Sequence, residues 1–266
     1  MVKLFKFILI GFIQGVTEVL PVSSSGHLIL AEHFLNLSDI GLSFVVFLHI
    51  ASLISIIFFL RKTIIKICKG VYNYIIKKDK SYYYEFKYVM CLIISTIPLI
   101  LLGPIVNKFL NISSILLIGI FLIINGLMLL FLTKSNNKKY IFNMNYKDAL
   151  TIGLFQCFGL LPGISRSGSC LCGSTLRNIN KEDAADYVFL MFIPAILGAI
   201  IFEIKDISIL IVSSDIVFYI ISFLVTLFVT YYAFKFLLKI IRNGILKYFS
   251  YYCFILGSFI ILYSLI

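Results

Sequence analysis

The stretch Leu161–Ser169, LPGISRSGS, carries a single arginine inside an otherwise apolar part of the sequence. Arg166 is the only basic residue between Lys147 and Arg177. An arginine at membrane depth is costly, so such a residue usually binds a specific partner. Serines and glycines surround it, and glycines let a backbone come close to a ligand. Because a guanidinium binds phosphate through two parallel hydrogen bonds, the stretch predicts a phosphate site.

The chain around this stretch is strongly apolar. Its 266 residues are 61% hydrophobic and 13% charged, with a mean hydropathy of +1.06. Soluble domains average about 25% charged residues, so the composition indicates a polytopic membrane protein with an all-α fold. The net charge of +11 does not indicate nucleic-acid binding, because the bases lie in short loops between apolar runs.

The cysteines and the N-terminal segment add little chemistry of their own. Six cysteines are scattered without a repeated CxxC spacing, which is typical of small buried apolar residues rather than of disulfides or zinc ligands. Cys170 and Cys172 are expected to pack in the same way. The first apolar run continues into polar residues instead of a small-residue cleavage site, so no cleavable signal peptide is expected.

Apolar runs divide the chain into spanning and interrupted segments. Six runs are near the ~20 residues that cross a bilayer. These runs are 42–60, 88–106, 113–133, 184–204, 214–234 and 248–266. Two more, 4–36 and 148–173, are broken by Gly, Pro, Ser and a charged residue.

Basic loops predict the orientation. Segments 61–87, 134–147 and 235–247 are rich in Lys and Arg and should be cytoplasmic. The first of them is long enough for a surface helix or a helical hairpin. Counting spans back from the last loop makes the run 148–173 begin and end inside, so it should be a re-entrant hairpin. Irregular backbone at membrane depth requires a lining of protein or a wet cavity.

An internal repeat extends this interpretation to the run 4–36. A shift of 142 residues places 11–28 over 153–170 with five identities in eighteen positions. Three spanning runs follow each interrupted run. Because three is an odd number, the second copy of the repeat lies inverted in the membrane relative to the first. The sequence therefore predicts one membrane domain of six transmembrane helices and two re-entrant helical hairpins, with inverted repeats at about 1–135 and 148–266. Both termini should lie outside, although Lys3 and Lys6 argue against that.

Polar residues of the two hairpins form the candidate site. Gln14 and Glu18 are four residues apart and share a helix face. Pro21 ends that helix, and the serines after it can cap the next one, whose N-terminus favours anions. Together with Arg166 they supply a cation, a carboxylate, an imidazole from His27 and several hydroxyls. This inventory suits hydrolysis of a phosphate anhydride.

The motifs resemble those of the bacterial undecaprenyl-diphosphatase family, the UppP or BacA type. QGVTE with LPVSSSGH, and later PGISRSGS, are similar to its E/Q-x-x-x-E, SS-x-GH and PG-x-SRS-x-x-T signatures over essentially the whole chain. The resemblance implies hydrolysis of undecaprenyl diphosphate, recycling of the lipid carrier for peptidoglycan and other cell-wall polymers, and bacitracin resistance. It also implies a divalent cation, Mg or Ca, and a bacterial cell membrane location. Cys170 departs from the family threonine, which puts a hydroxyl hydrogen bond in doubt.

Carried over by motif, the resemblance assigns roles to single residues. Glu18 is a metal ligand or base, unless it only pairs with Arg166. His27 is an acid, base or nucleophile, and Ser24 is a nucleophile or a helix cap, so water, Ser24 and His27 all remain open as the nucleophile. His33 and His49 are expected to be ordinary packed or interfacial residues. The predicted substrate-binding residues, besides catalytic Arg166, are Ser165, Ser167, Gln14, Ser25, Gly163 and Ser169, and the predicted metal ligands are Glu18 and Gln14.

A transporter or flippase for a polyprenyl phosphate lipid is the alternative, because inverted repeats with midplane sites are typical of transporters. An enzyme releases inorganic phosphate from a lipid diphosphate in detergent, whereas a transporter needs sealed vesicles. The expected partners are undecaprenyl diphosphate and membrane lipid, with no nucleic acid. The active site should face the extracytoplasmic side, and the sequence leaves a homodimer open.

Overall fold

The computed structural model describes residues 1–37, 41–109, 114–134, 138–212, 215–243 and 245–265. Within these ranges the chain forms ten α-helices, three short 3-10 helices and no β-strand. The α-helices are α1 (Val2–Val19), α2 (Ser24–Leu35), α3 (Leu42–Ile75), α4 (Tyr83–Phe109), α5 (Ile115–Lys134), α6 (Tyr146–Gln156), α7 (Arg166–Leu176), α8 (Lys181–Val212), α9 (Ile216–Arg242) and α10 (Lys247–Ser264). The 3-10 helices are Lys80–Tyr82, Ile141–Asn143 and Cys157–Leu160.

Among the described residues, five segments are long and apolar enough to cross a membrane. They are Leu42–Ile75, Lys80–Val106, Ile115–Thr133, Lys181–Ile207 and Ile216–Arg242, and they coincide with the first five predicted runs. This confirms an all-helical fold with membrane-spanning helices. The sixth predicted run corresponds to α10, which is not among the five, so six spans stay a prediction.

The basic segment 61–87 is mostly helical. α3 continues through it without a break to Ile75, and α4 begins at Tyr83, so the segment is the end of a helical hairpin and not a separate surface helix. Gly70 permits the close contact, because a Cβ there would lie 2.5 Å from Cγ of Glu85. The two helices therefore pack against each other beyond their apolar parts.

Both interrupted runs form a helix, a break and a second helix, as predicted. Pro21 lies between α1 and α2, and Ser23 adopts a positive φ of 74° before α2 begins. In the second run the turn before α7 contains Gly163 with a φ of 108°, a conformation that favours glycine. Each break leaves the N-terminus of a short helix inside the fold.

The first helices of the two hairpins dock in the same way. In α9, Ser222 donates its hydroxyl to the carbonyl of Phe7 at 2.6 Å, and in α4, Ser95 donates to the carbonyl of Ala149 at 2.8 Å. Phe7 and Ala149 are 142 positions apart, which is the shift that aligns the two hairpins. Each hairpin is thus held by a helix from the other half of the chain.

Glycines bring these docked helices close together. A Cβ at Gly11 would lie 2.5 Å from the carbonyl oxygen of Ser222, and one at Gly153 would collide with that of Ser95. These glycines are also 142 positions apart. Since helix backbones approach closely only where side chains are small, these glycines allow α1 to pack closely on α9 and α6 on α4.

The N-terminus lies beside the start of α9. The ammonium of Lys3 contacts the carboxylate of Asp215 at 2.7 Å. Asp215 is the residue immediately before α9. The ion pair therefore joins the start of α1 to the start of α9, and the side of the membrane on which the N-terminus lies stays a prediction.

Candidate active site

The tips of the two hairpins touch. The hydroxyl of Ser23 accepts hydrogen bonds from the backbone N–H groups of Gly26 at 3.3 Å and Gly163 at 3.0 Å. A Cβ on Gly26 would lie 2.9 Å from Cα of Gly163, a distance that real Cβ atoms do not tolerate. The predicted convergence of the two hairpins is therefore present, and two glycines make it possible.

Asn125 of α5 joins the same two tips from the side. Its side-chain N–H donates to the carbonyl of Pro21 at 2.9 Å, and its side-chain oxygen accepts from the backbone N–H of Ser165 at 3.0 Å. The residue is fully buried. The sequence interpretation missed Asn125, although a lone amide in the apolar run 113–133 is the kind of residue that marks a function at membrane depth.

Glu18 accepts hydrogen bonds from residues of both hairpins. Its Oε1 accepts from Nη2 of Arg166 at 2.9 Å. Its Oε2 accepts from the amide of Gln14 at 2.9 Å and from the hydroxyl of Ser24 at 2.7 Å. The carboxylate and the guanidinium that the sequence assigns to one site are thus in direct contact, across 148 residues of chain.

Arg166 is the first residue of α7, and its guanidinium lies between Glu18 and Phe192. Ser165 caps the helix by accepting from the N–H of Gly168 at 3.1 Å, and its hydroxyl lies 3.1 Å from that of Ser167. The guanidinium lies over the ring of Phe192, 4.4 Å from its centroid. A stacked guanidinium keeps its N–H groups free to bind an anion in its own plane.

A cavity of about 710 Å³ opens beside this cluster. Glu18, Ser24, Ser25, Ser165, Arg166 and Ser167 line it. Its walls are mainly apolar, with Leu99 and Ile100 from α4 and Ile201 and Phe202 from α8. A polar end inside an apolar cleft suits a ligand with a charged head and a hydrocarbon chain.

The sequence interpretation of His49 as an ordinary packed residue is wrong. Its Nε2 lies 3.3 Å from Oε2 of Glu18, and the residue lines the cavity. Its Nδ1 is 2.7 Å from the carbonyl oxygen of Val45, which can only accept, so Nδ1 carries a hydrogen. Nε2 therefore donates to Glu18 when the imidazole is protonated. His49 comes from α3, outside both motifs, so nothing in the motif spacing could place it here.

Some predicted residues lie outside the cavity. His27 points towards α10, where Nε2 is 2.6 Å from the hydroxyl of Tyr252 and Nδ1 is 2.7 Å from the carbonyl of Ser23. Ser169 is buried and donates to the carbonyl of Ser165. Gly163 contributes to the contact between the tips. The structure does not bring these three to Glu18 and Arg166, and the catalytic role of His27 stays a prediction.

Comparison with known proteins decides the family. The family model described as "Bacitracin resistance protein BacA" matches residues 7–259. This chain belongs to the BacA family. The match covers both hairpins and the helices that hold them.

Curated relatives of this BacA family member cover nearly its whole length. A protein from Methanococcus vannielii named undecaprenyl-diphosphatase is 38% identical over 260 residues, 96% of this chain and 98% of the relative. One from Alkaliphilus metalliredigens with the same name is 38% identical over 277 residues, covering 98% and 99%. Undecaprenyl-diphosphatase 2 of Bacillus thuringiensis is 34% identical over 258 residues, covering 96% and 95%.

The residue that departs from the BacA-type motif does not line the cavity. Cys170 is buried, and its thiol points to the side-chain oxygen of Gln156 at 3.9 Å. The missing hydroxyl therefore affects a contact between α6 and α7. Cys172 is also buried and contacts the carbonyl of Met128, as expected for packing.

The residues at Glu18 fit the divalent cation that the BacA resemblance implies. The carboxylate of Glu18 forces the amide of Gln14 to present its N–H, which leaves Oε1 of Gln14 buried and without a hydrogen-bond partner in the described part of the chain. No group of three or more His, Cys, Asp or Glu suited to a metal occurs among the described residues. One or two carboxylates completed by substrate phosphates are typical of Mg²⁺ sites, and Glu18 supplies one carboxylate at the cavity, while Gln14 lies behind it and does not line the cavity.

Proposed function

We propose that this protein hydrolyses undecaprenyl diphosphate to undecaprenyl phosphate and inorganic phosphate. The contact of Arg166, Glu18 and Ser24 at the polar end of an apolar cavity carries this proposal, since it joins a phosphate clamp, a base and a nucleophile. The names of the relatives support the same reaction. In a membrane this activity would return the lipid carrier to cell-wall polymer synthesis and would oppose bacitracin.

Binding begins with the exchange of partners at Arg166. In the free protein Glu18 neutralises the guanidinium. A diphosphate brings stronger acceptors, so Arg166 turns its N–H groups to the phosphoryl oxygens, with the hydroxyls of Ser165 and Ser167 beside it. The N-terminus of α7 adds its own attraction for an anion. The prenyl chain then follows the apolar wall formed by α4 and α8.

Ser24 is the nucleophile in this proposal. Its hydroxyl already donates to Glu18 at 2.7 Å, the arrangement that activates a serine. Ser24 Oγ attacks the terminal phosphorus, its proton passes to Glu18, and the bond to the bridging oxygen breaks with its electron pair on undecaprenyl phosphate. Water then attacks the phosphoserine, and Ser24 leaves with the proton from Glu18. A divalent cation bound by Glu18 and Gln14 would neutralise part of the negative charge of the diphosphate.

We also propose that the cavity opens to the outer face. Leu42, Gly103 and Glu203 line it, and they lie at the ends of α3, α4 and α8 opposite to the basic segment 61–87. Since basic segments stay in the cytoplasm, the opening is extracytoplasmic. The diphosphate headgroup would enter from the outer leaflet.

The matched docking of the two hairpins supports the remaining topology. Ser222 and Ser95 bond to positions 142 apart, and each lies in the opposite half of the chain. We propose that α1–α2 and α6–α7 are re-entrant hairpins of inverted repeats, and that α10 is the sixth span. This symmetry also keeps a lipid transporter as the second candidate, because transporters share it.

Phosphate release from undecaprenyl diphosphate by the purified protein in detergent tests the proposal. We expect release by the wild type and a loss of about a hundredfold or more in Arg166→Ala, the scale of losing a key electrostatic contact. Arg61→Ala is the matched control. Arg61 also lies over a phenylalanine ring, Phe58, at 4.4 Å, but it belongs to the basic segment 61–87 and does not line the cavity.

One result would contradict the role of Arg166, and another would contradict the hydrolase. Near-normal turnover in Arg166→Ala would remove the proposed clamp. Absence of phosphate release by the wild type, together with movement of the labelled lipid across sealed vesicles, would favour the transporter instead.

A further inference from the structure

Gln156, the last residue of α6, has a buried amide with an unused donor. The residue is 1% exposed, and its Nε2 has no hydrogen-bond partner within the described part of the chain. A buried amide N–H without an acceptor destabilises the folded state. Such a group in a folded protein needs an explanation, and a ligand acceptor is one.

Gln156 belongs to the wall of the cavity. It lines the same space as Glu18 and Arg166. Its other side-chain atom, Oε1, faces the thiol of Cys170, which is one turn along α7 from Arg166. The thiol donates to Oε1, so the free atom is the N–H group. The side-chain amide of Gln156 thus contacts α7, the helix that carries the guanidinium.

The corresponding glutamine of the other hairpin has an unused acceptor instead of an unused donor. Gln14 occupies the position 142 residues earlier, on the first helix of the other hairpin. There the acceptor Oε1 is unused, because the N–H group binds Glu18. One hairpin thus offers a spare acceptor, which suits a cation, and the other offers a spare donor, which suits an anion.

We propose that Gln156 is a substrate-binding residue whose amide N–H donates to a phosphoryl oxygen of the diphosphate. This inference rests on the proposed hydrolysis of a lipid diphosphate and extends its binding site to α6. Arg166 holds the phosphoryl group through charge, and Gln156 holds it through a neutral donor of defined direction. Neither sequence motif contains Gln156.

Two substitutions at this position separate binding from packing. Gln156→Met keeps a similar shape and removes the donor. Gln156→Glu also keeps the shape but places an acceptor and a negative charge where the diphosphate binds. We expect Gln156→Met to weaken binding and kcat/KM about tenfold or more, the effect of one lost hydrogen bond to a charged group, and Gln156→Glu to weaken them further.

Thr175→Val is the matched control. The hydroxyl of Thr175 is likewise buried without a partner in the described residues, but Thr175 lies in α7 away from the cavity. Its replacement should leave binding and kcat/KM unchanged. Thermal stability should not fall in Gln156→Met, since the substitution removes an unsatisfied donor, whereas a structural role would lower the Tm.

Binding is measured with a prenyl methylenediphosphonate, whose carbon bridge cannot be hydrolysed, and turnover is measured with the diphosphate. A binding loss below about fivefold in Gln156→Met, or a failure of the wild type to bind the probe, overturns the role of Gln156. A wild-type protein that binds the probe but releases no phosphate overturns the hydrolase. In that case the role of Gln156 is still decided by probe binding, which should weaken from the wild type to Gln156→Met and further to Gln156→Glu.

Discussion

At the scale of single residues, the site is a set of exchangeable hydrogen bonds around one carboxylate. Glu18 accepts from Arg166, Gln14 and Ser24. In the free protein these three donors satisfy the oxygens of the Glu18 carboxylate, which makes its buried charge pair with Arg166 tolerable. In the proposed mechanism a diphosphate replaces Glu18 at Arg166, and this frees the carboxylate to act on Ser24.

Ser24→Ala should abolish formation of a phosphoenzyme. We expect a loss of at least about a hundredfold in turnover, and disappearance of label from protein quenched in acid after brief reaction with substrate labelled in the terminal phosphate. Ser25→Ala is the comparison, because Ser25 also lines the cavity but bonds to Ser23 at 3.4 Å. It should retain the label. Label that persists in Ser24→Ala would exclude Ser24 as the nucleophile.

His49→Phe should lower kcat/KM about tenfold, because Glu18 loses a polar contact that helps to hold its carboxylate. His33→Phe is the control. His33 pairs with Tyr263 at 3.3 Å on an exposed surface and should leave turnover unchanged. Steady-state phosphate release by the two variants decides the point, and equal effects would show that His49 is not part of the site.

At the scale of elements, the hairpins are positioned by helices distant in sequence. Ser222 of α9 and Ser95 of α4 bind the first helix of each hairpin, and Asn125 of α5 bridges their tips. The interrupted runs themselves were predicted from Pro, Gly and Ser, because these residues act on local backbone. The convergence of their tips was predicted, but the contacts that hold the two hairpins together were not, since these come from side chains of α4, α5 and α9.

Asn125→Leu should destabilise the fold by about 2 to 4 kcal/mol, because the carbonyl of Pro21 and the N–H of Ser165 both lose their buried partner. Thermal unfolding in detergent measures the effect. Ser250→Ala serves as the control, since the buried Ser250 hydroxyl has no partner among the described residues, and its loss should be nearly neutral. A similar Tm for both variants would mean that Asn125 does not join the tips.

At the scale of the whole molecule, charge and cavity lie at opposite ends. The basic segment 61–87 forms one end of α3 and α4, and the cavity is lined by residues at the other end. The proposed sidedness follows from this separation, since basic segments stay in the cytoplasm.

Cysteine labelling tests this orientation. Cys68 is exposed in α3 within the basic segment, so an impermeant maleimide should miss it in intact cells and modify it in inverted vesicles. Glu203→Cys in a Cys68→Ser background should show the opposite pattern, because Glu203 lines the cavity. Labelling of both positions from the same side would contradict the proposed sidedness.

The sequence by itself determined the membrane class, five of the spanning segments, the broken helices and the family motifs, because hydropathy and turn residues act over short distances along the chain. It also indicated that Glu18 and Arg166 share a site. Only the tertiary structure decided that His49, Asn125 and Gln156 join them, and that His27 faces Tyr252 instead. These contacts arise between helices far apart in sequence, where packing, and not local pattern, selects the neighbours.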